Sequence, residues 1–316
     1  MSHLEIKEID GVEYAAFVKK FSIMGQGFRL HEHIGKNISS LDKRDYMRNN
    51  LETLTRKEFE MRKPLLEKLY IAHSKKVLFD TEMVSIKIGN LMEIKENMDA
   101  VLNEFAKEFI FNSNRIEGSR IPASEVKKIF ETGSSIHGVA NEVKEVYNSI
   151  EAMNYIQKGF KFNLASVKRL YYILTAGLVM QNGERYPKGF KKVPNVVGNM
   201  ETVPPEQVEQ RLADLLDHYK SNKYKIHPLE LAFYFHLKFE HIHPFFDGNG
   251  RTGRMIMNKI LMAHGYFPVI IYSSNSTGYF NAIARGLGGN EKSYQQFMLE
   301  QTRKTYQQFS DVIQKL

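Results

Sequence analysis

Apolar side chains recur every three to four residues along most of the chain, and alternating runs are scarce, so the pattern predicts a mainly helical, all-α fold. Leu54, Leu65, Leu66, Leu69 and Val77 mark an amphipathic segment over about 51–79, which Pro64 is set to break or restart. A broad stripe made of Leu91, Ile94, Met98, Val101, Leu102, Phe105, Phe109 and Ile110 follows over about 88–111. Gly118, with Pro122 four residues on, gives the stop signal expected after it. Further helices are expected over about 124–131, 141–158, 164–180, 205–221 and 290–314. Residues 229–242 are apolar on nearly all sides, which a helix tolerates only at the centre of a domain. His243-Pro244 ends that helix, because the residue before proline is pushed out of α conformation, and the next begins at about 249–251.

Two stretches depart from helical spacing. Between Arg185 and Pro205, Pro187 and Pro194 precede the Pro204-Pro205 pair, with glycines and Val193, Val196 and Val197 between them, and a short hairpin is expected there as a mobile flap over about 190–203. Pro268 to Tyr272 is apolar throughout and reads either as a strand or as a buried extended segment. A faint boundary near 80–98 divides an N-terminal helical region, 1–97, from a larger unit, 98–316.

Composition narrows the chemistry. The chain of 316 residues has no cysteine, which excludes thiol nucleophiles, thiolate metal sites and a disulfide framework. No apolar run approaches the roughly 20 residues that cross a bilayer, and the first residues show no secretory signal, so a cytoplasmic protein without a membrane partner is expected. Lysine and arginine, 44 against 36 acidic residues, give a formal charge of +8 that favours anionic partners without naming one.

The strongest signal lies between the two central helices. Gly248 and Gly250 flank Asn249 at a helix mouth, where unpaired N–H groups converge on partial positive charge and bind phosphate. Arg251 and Arg254, three apart, share one face and add bidentate donors. Asp247 offers a single carboxylate, which suits Mg2+ carried in by a polyphosphate, and His243 at the rim has the imidazole chemistry of a general base. Phosphoryl or nucleotidyl transfer follows from this set. Gly248-x-Gly250-x-x-Gly253 satisfies a dinucleotide fingerprint, but no strand precedes it and no acidic residue lies about twenty positions on. Glu240-x-x-His243 resembles half of a di-iron site, and the chain offers no second copy. His227, His236 and His241 read as structural histidines, and Phe245 and Phe246 as packing residues that anchor the loop.

His243 to Arg254, HPFFDGNGRTGR, matches the Fic-domain signature H-x-F-x-[DE]-G-N-G-R-x-x-R at every specified position, and the resemblance extends over roughly 98–302. It implies a Fic fold and a protein adenylyltransferase that moves AMP from ATP to a hydroxyl (Ser, Thr or Tyr) of a target protein. His243 would be the base and Asp247 the Mg2+ ligand. Gly248, Asn249, Gly250 and Arg251 would cradle the α- and β-phosphates, Thr252 and Gly253 would complete the segment, and Arg254 would reach the γ-phosphate. Asn195, Val196, Val197 and Gly198 resemble the family's flap, along which nucleotide and target lie, and Tyr279 resembles a tyrosine of the adenine pocket. Lys191 stands where an arginine is often found, and Leu287 where some relatives have an asparagine. Ser113-x-x-x-Glu117-Gly118 resembles the family's inhibitory motif, [ST]-x-x-x-E-[GN], which places an inhibitory helix over about 98–118 with Glu117 set against Arg254. Removal of AMP by the same site, transfer of another phosphate-containing group, and a nucleotide-binding regulator without turnover are the alternatives. Self-modification and a homodimer stay open, and nucleic acid is disfavoured as a partner.

Overall fold

The computed structural model describes residues 2–36, 41–69, 75–95, 98–136, 138–180, 182–197 and 200–315. It opens with an antiparallel sheet and not with helices: β1 (Ser2–Ile9), β2 (Val12–Ile23) and β3 (Gln26–Lys36) pair in the order β1-β2-β3. The expected N-terminal helical region over 1–97 is thus corrected for residues 2–36. Asp10-Gly11 and Met24-Gly25 form the two turns with φ of 53° and 74°, and of 52° and 75°. Positive φ at both central positions is the twist that a two-residue hairpin needs. The inward residues Phe17 and Leu30 close a small core with Met47, Leu54 and Ile94.

Helices α1 (Lys43–Asn49), α2 (Leu51–Leu66), α3 (Lys75–Ile94) and α4 (Met98–Ile116) follow. Pro64 lies inside the last turn of α2, and the stripe expected over 88–111 is shared between α3 and α4. Next come α5 (Ala123–Thr132), α6 (Ala140–Lys158) and α7 (Leu164–Leu174), the last ending short of 180 because Gly177 turns left-handed at φ 67°. The expected flap contains the short strands β4 (Val196–Val197) and β5 (Met200–Glu201), and Gly198 lies outside the described residues. Helices α8 (Val208–Asn222), α9 (Pro228–Ile242), α10 (Asn249–Ala263), α11 (Ser276–Leu287) and α12 (Glu291–Lys315) complete the chain.

The main core runs from Phe59 to Ile313 and draws on both sides of residue 97. At its centre stands α9, whose Leu229, Ala232, Phe233 and Phe239 are fully buried. His227 caps its N-terminus by accepting from the Leu229 N–H at 3.3 Å. Pro268 to Tyr272 is the buried extended segment, not a strand. Side chains satisfy its backbone, with Asn258 Oδ1 accepting from Val269 N at 2.8 Å and Thr305 Oγ1 from Ile270 N at 3.1 Å. No described helix is long and apolar enough to cross a membrane.

Candidate active site

The loop from α9 to α10 is shaped by two left-handed residues. His243 closes α9 at φ 45°, and Gly248 opens α10 at φ 72°. Asn249 clamps the turn between them: its Oδ1 accepts from Phe245 N at 2.8 Å and its Nδ2 donates to Phe245 O at 2.9 Å. Phe245 is fully buried and stacks on Tyr171 at 4.1 Å, whereas Phe246, expected to pack, is half exposed. The first N–H to enter the helical ladder is that of Thr252, bonded to Gly248 O at 3.0 Å. The N–H groups of Asn249, Gly250 and Arg251 are therefore left to face an anion at the positive end of a four-turn helix. Thr252 commits its hydroxyl to Gly248 O at 2.8 Å. Gly253 lets α10 press on α9, where a Cβ would stand 3.0 Å from Glu240, His236 and Phe239.

A carboxylate already sits at this mouth. Glu117, just past the end of α4, accepts from Arg254 Nη2 at 2.7 Å, and its Oε1 lies 2.3 Å from where a Cβ on Gly250 would be. Arg254 is 1% exposed and also donates from Nη2 to Ser113 O at 2.9 Å and from Nε to Ser113 Oγ at 3.1 Å. Burial works against its charge, but the Glu117 carboxylate more than offsets this and holds its pKa above the ordinary arginine value. Arg251, equally buried, donates to Glu145 of α6 at 2.7 Å and lies 3.6 Å from Asp247. Asp247 keeps its side chain two-fifths exposed and accepts from Gly248 N at 2.6 Å. Among the described residues no cluster of three or more His, Asp or Glu could hold a metal. The lone, open carboxylate fits an ion whose other ligands come from phosphate and water.

The flap is tied to the loop through polar contacts. Asn195 Nδ2 donates to Phe245 O at 3.1 Å, and Lys191 Nζ donates to Asn195 Oδ1 and Thr202 Oγ1, both at 2.6 Å, and to Ile242 O at 3.2 Å. Val196 points outward, 60% exposed, while Val197 is half-buried against the main core. Tyr279 is buried beneath Arg254, with its hydroxyl 2.8 Å from His236 Nε2 and 3.4 Å from Arg254 Nη1.

Burial dominates the electrostatics. It pushes His243, beside Lys191, down to about 4, and Lys191 itself down to about 8. His243 is accordingly neutral, with a lone pair available, throughout the physiological range. Burial also pushes His227 down to about 4, His236 down to about 3, and Glu240 up to about 8. Between pH 4.5 and 6.5 the unfolded chain binds protons on these three histidines that the folded chain refuses, against one that only folded Glu240 holds. The unfolded state is then the more protonated, so stability rises with pH through that window and declines above 6.5, where the proton that only folded Glu240 holds outweighs the rest, until Lys191 opposes it near 8. Urea midpoints measured from pH 4.5 to 8 are expected to peak near 6.5, with the acid side falling by several kcal/mol, on the order of 1.4 per unit shift.

Residue chemistry brought His243, Asp247, Gly248, Asn249, Gly250, Arg251 and Arg254 into consideration and the resemblance added Ser113, Glu117, Asn195, Thr252, Gly253 and Tyr279; the structure gathers these around one loop. Glu145, Glu240 and Lys191 were not among the expected site residues. Glu145 carries no sequence signal, since its link to Arg251 joins helices 106 positions apart. Glu240 did carry one, its spacing of three from His243 on one helix face.

Residues 161–261 match the sequence model of the Fic/DOC family. It is 31% identical over 210 residues to a protein adenylyltransferase Fic of Drosophila mojavensis, covering 63% of this chain and 40% of that protein. It is 29% identical over 231 residues to one of Nematostella vectensis, covering 71% and 52%. The chain thus spans about half the length, or less, of these curated relatives. Among solved structures, a Fic domain containing signaling protein from Bacteroides thetaiotaomicron superposes with a TM-score of 0.66 at 19% identity, over 75% of this chain and 98% of that one. Fic-1 (residues 134 to 508) from C. elegans gives 0.61 at 20%, over 75% and 71%. The fold is the mainly helical Fic fold.

Proposed function

We propose that this chain is a protein adenylyltransferase that moves AMP from ATP to a hydroxyl side chain of a protein and is held inactive by Glu117. The observation that carries the reading is the Glu117 carboxylate lodged over Gly250 and bonded to Arg254 at 2.7 Å. An anion in the chain's own sequence occupies ground suited to phosphate, with a neutral histidine on the same loop. Backbone N–H groups of Asn249 to Arg251 and the Arg251 guanidinium hold the α- and β-phosphates. Arg254, once released by Glu117, takes the γ-phosphate. His243 Nε2 accepts the proton of the target hydroxyl as its oxygen bonds to the α-phosphorus, and the bond to the bridging oxygen breaks so that pyrophosphate leaves. Asp247 would hold Mg2+, which neutralises charge between the α- and β-phosphates when bound. The β4–β5 flap, with Val196 exposed, offers an edge on which a target segment can add as a strand and bring Ser, Thr or Tyr to His243.

Gly250→Ala separates the two uses of this ground. The new methyl would collide with Glu117 at 2.3 Å and with Arg254 at 2.8 Å, so it expels the carboxylate but also fills the phosphate position. The expected outcome is weaker ATP binding, by roughly tenfold or more, and no gain in transfer, read by calorimetric titration and α-phosphate label. The test of the reaction is mass spectrometry of cell lysate incubated with Glu117→Gly protein and ATP. An added 5′-adenylate on a hydroxyl side chain supports the reading, and its absence from every protein, this chain included, contradicts it.

A further inference from the structure

Three side-chain atoms beside the loop are buried without a hydrogen-bond partner: His236 Nδ1, Glu240 Oε1 and His243 Nδ1. They converge on one carboxyl. Glu240 is 3% exposed, and its oxygens lie 3.8 Å from His236 Nδ1 on one side and 3.8 Å from His243 Nδ1 on the other. A spacing of four puts His236 and Glu240 on one face of α9, and His243, at the left-handed C-cap, brings its ring to the other carboxyl oxygen. An unmet buried polar group is destabilising, and closing these two gaps to hydrogen-bond length satisfies all three atoms together.

We propose that Glu240 is a positioning residue for His243: its Oε2 accepts the Nδ1 proton and so leaves the lone pair on Nε2, the nitrogen that faces the reaction. The inference rests on the reading of His243 as general base. His236 is what leaves Oε2 free for this task. Its Nε2 is engaged by the Tyr279 hydroxyl at 2.8 Å, so its Nδ1 is left to face Glu240 Oε1, with the Gly253 backbone beside it. If Glu240 is ionised, Oε1 accepts a proton shared from His236. If Glu240 is the acid form, which burial favours up to pH about 8, that proton sits on Oε1 and is donated to His236. Either way a single proton lies between Oε1 and His236, and Oε2 remains an acceptor toward His243. A tautomer set this way matters because an imidazole protonated on Nε2 has no lone pair there to take a proton.

Glutamine reproduces the acid form, with an amide oxygen for His243 and an amide N–H for His236, whereas leucine fills the same space and offers neither. The Glu240 backbone carbonyl, which also faces the His243 ring, is present in every variant, so the comparison isolates the carboxyl. The measurement is ¹⁵N NMR of histidine-labelled protein carrying Glu117→Gly, alone and with Glu240→Gln or Glu240→Leu, assigned with His243→Asn. It is paired with turnover of α-phosphate-labelled ATP, counted as protein-bound label plus released AMP. The expected result is that His243 is protonated on Nδ1 in the parent and in Glu240→Gln, and shifts toward Nε2 protonation in Glu240→Leu. The turnover number of Glu240→Leu falls roughly tenfold to a hundredfold with KM for ATP unchanged, and Glu240→Gln recovers it. An unchanged tautomer in Glu240→Leu overturns the proposal, as does a loss carried by KM. If the tautomer moves as stated while no form transfers AMP, Glu240 still positions His243 and the adenylyltransferase reading is what fails.

Discussion

Glu117→Gly is expected to raise AMP transfer by about a hundredfold over the unaltered chain. In the proposed reading the carboxylate competes with ATP, because it bonds Arg254 at 2.7 Å and lies over Gly250, on ground suited to phosphate oxygens. Breaking a buried charge pair costs about 3–5 kcal/mol, and the quarter exposure of the Glu117 side chain brings the value toward the lower end. About 3 kcal/mol corresponds to a hundredfold in the population of the productive pose. The same variant has a second signature. Without Glu117, Arg254 keeps Ser113 O and Tyr279 as partners but loses the carboxylate it pairs with, so the nucleotide-free protein is expected to melt several degrees lower. ATP with Mg2+ should restore that loss by resupplying negative charge, and should raise the melting temperature of the variant more than that of the parent. Equal labelling by the two forms, with equal thermal response to ATP, would contradict inhibition by this residue.

His243→Ala in the Glu117→Gly background lowers transfer by about 10²–10⁴, the usual contribution of a positioned general base. ATP affinity should stay within a few-fold, because the phosphate-facing groups lie from Gly248 onward. His243 holds φ 45°, a conformation that alanine tolerates poorly and asparagine well. His243→Asn is therefore the companion that keeps the loop while removing the base. If both variants bind ATP and neither transfers AMP, the imidazole is the missing element. Retained transfer in His243→Asn would move the base elsewhere.

Much of this site was legible because its chemistry is local. His243 to Arg254 is one continuous turn, and the glycines, the proline and the two arginines each act within a few residues of one another. The contact of α4 with the loop was legible for a different reason: Ser113 and Glu117 sit one helical turn apart, so a short motif records which two groups reach Arg254 together. Residues whose partners come from distant helices left no trace. Glu145 meets Arg251, and Glu108 of α4 holds Gln308 of α12, only because the fold brings the helices together. The N-terminal sheet was misjudged although its signals were present. Asp10-Gly11 is the strongest short hairpin signal a sequence offers, but Ala15, Ala16, Phe17 and Val18 are all buried, so β2 lacks the alternation that separates strands from helices. The α3–α4 break at Lys95 was hidden for the same physical reason. Helical spacing continues across it, because both helices face one core.

The most direct test of the central claim is a crystal structure of the Glu117→Gly protein with Mg2+ and an ATP analogue that cannot be cleaved at the α-phosphate. The account predicts the α- and β-phosphates on the N–H groups of Asn249 to Arg251, the γ-phosphate on Arg254, and His243 Nε2 facing the α-phosphorus from the side opposite the bridging oxygen. A nucleotide bound elsewhere with this loop empty, or a His243 ring turned away from the α-phosphate, would contradict it.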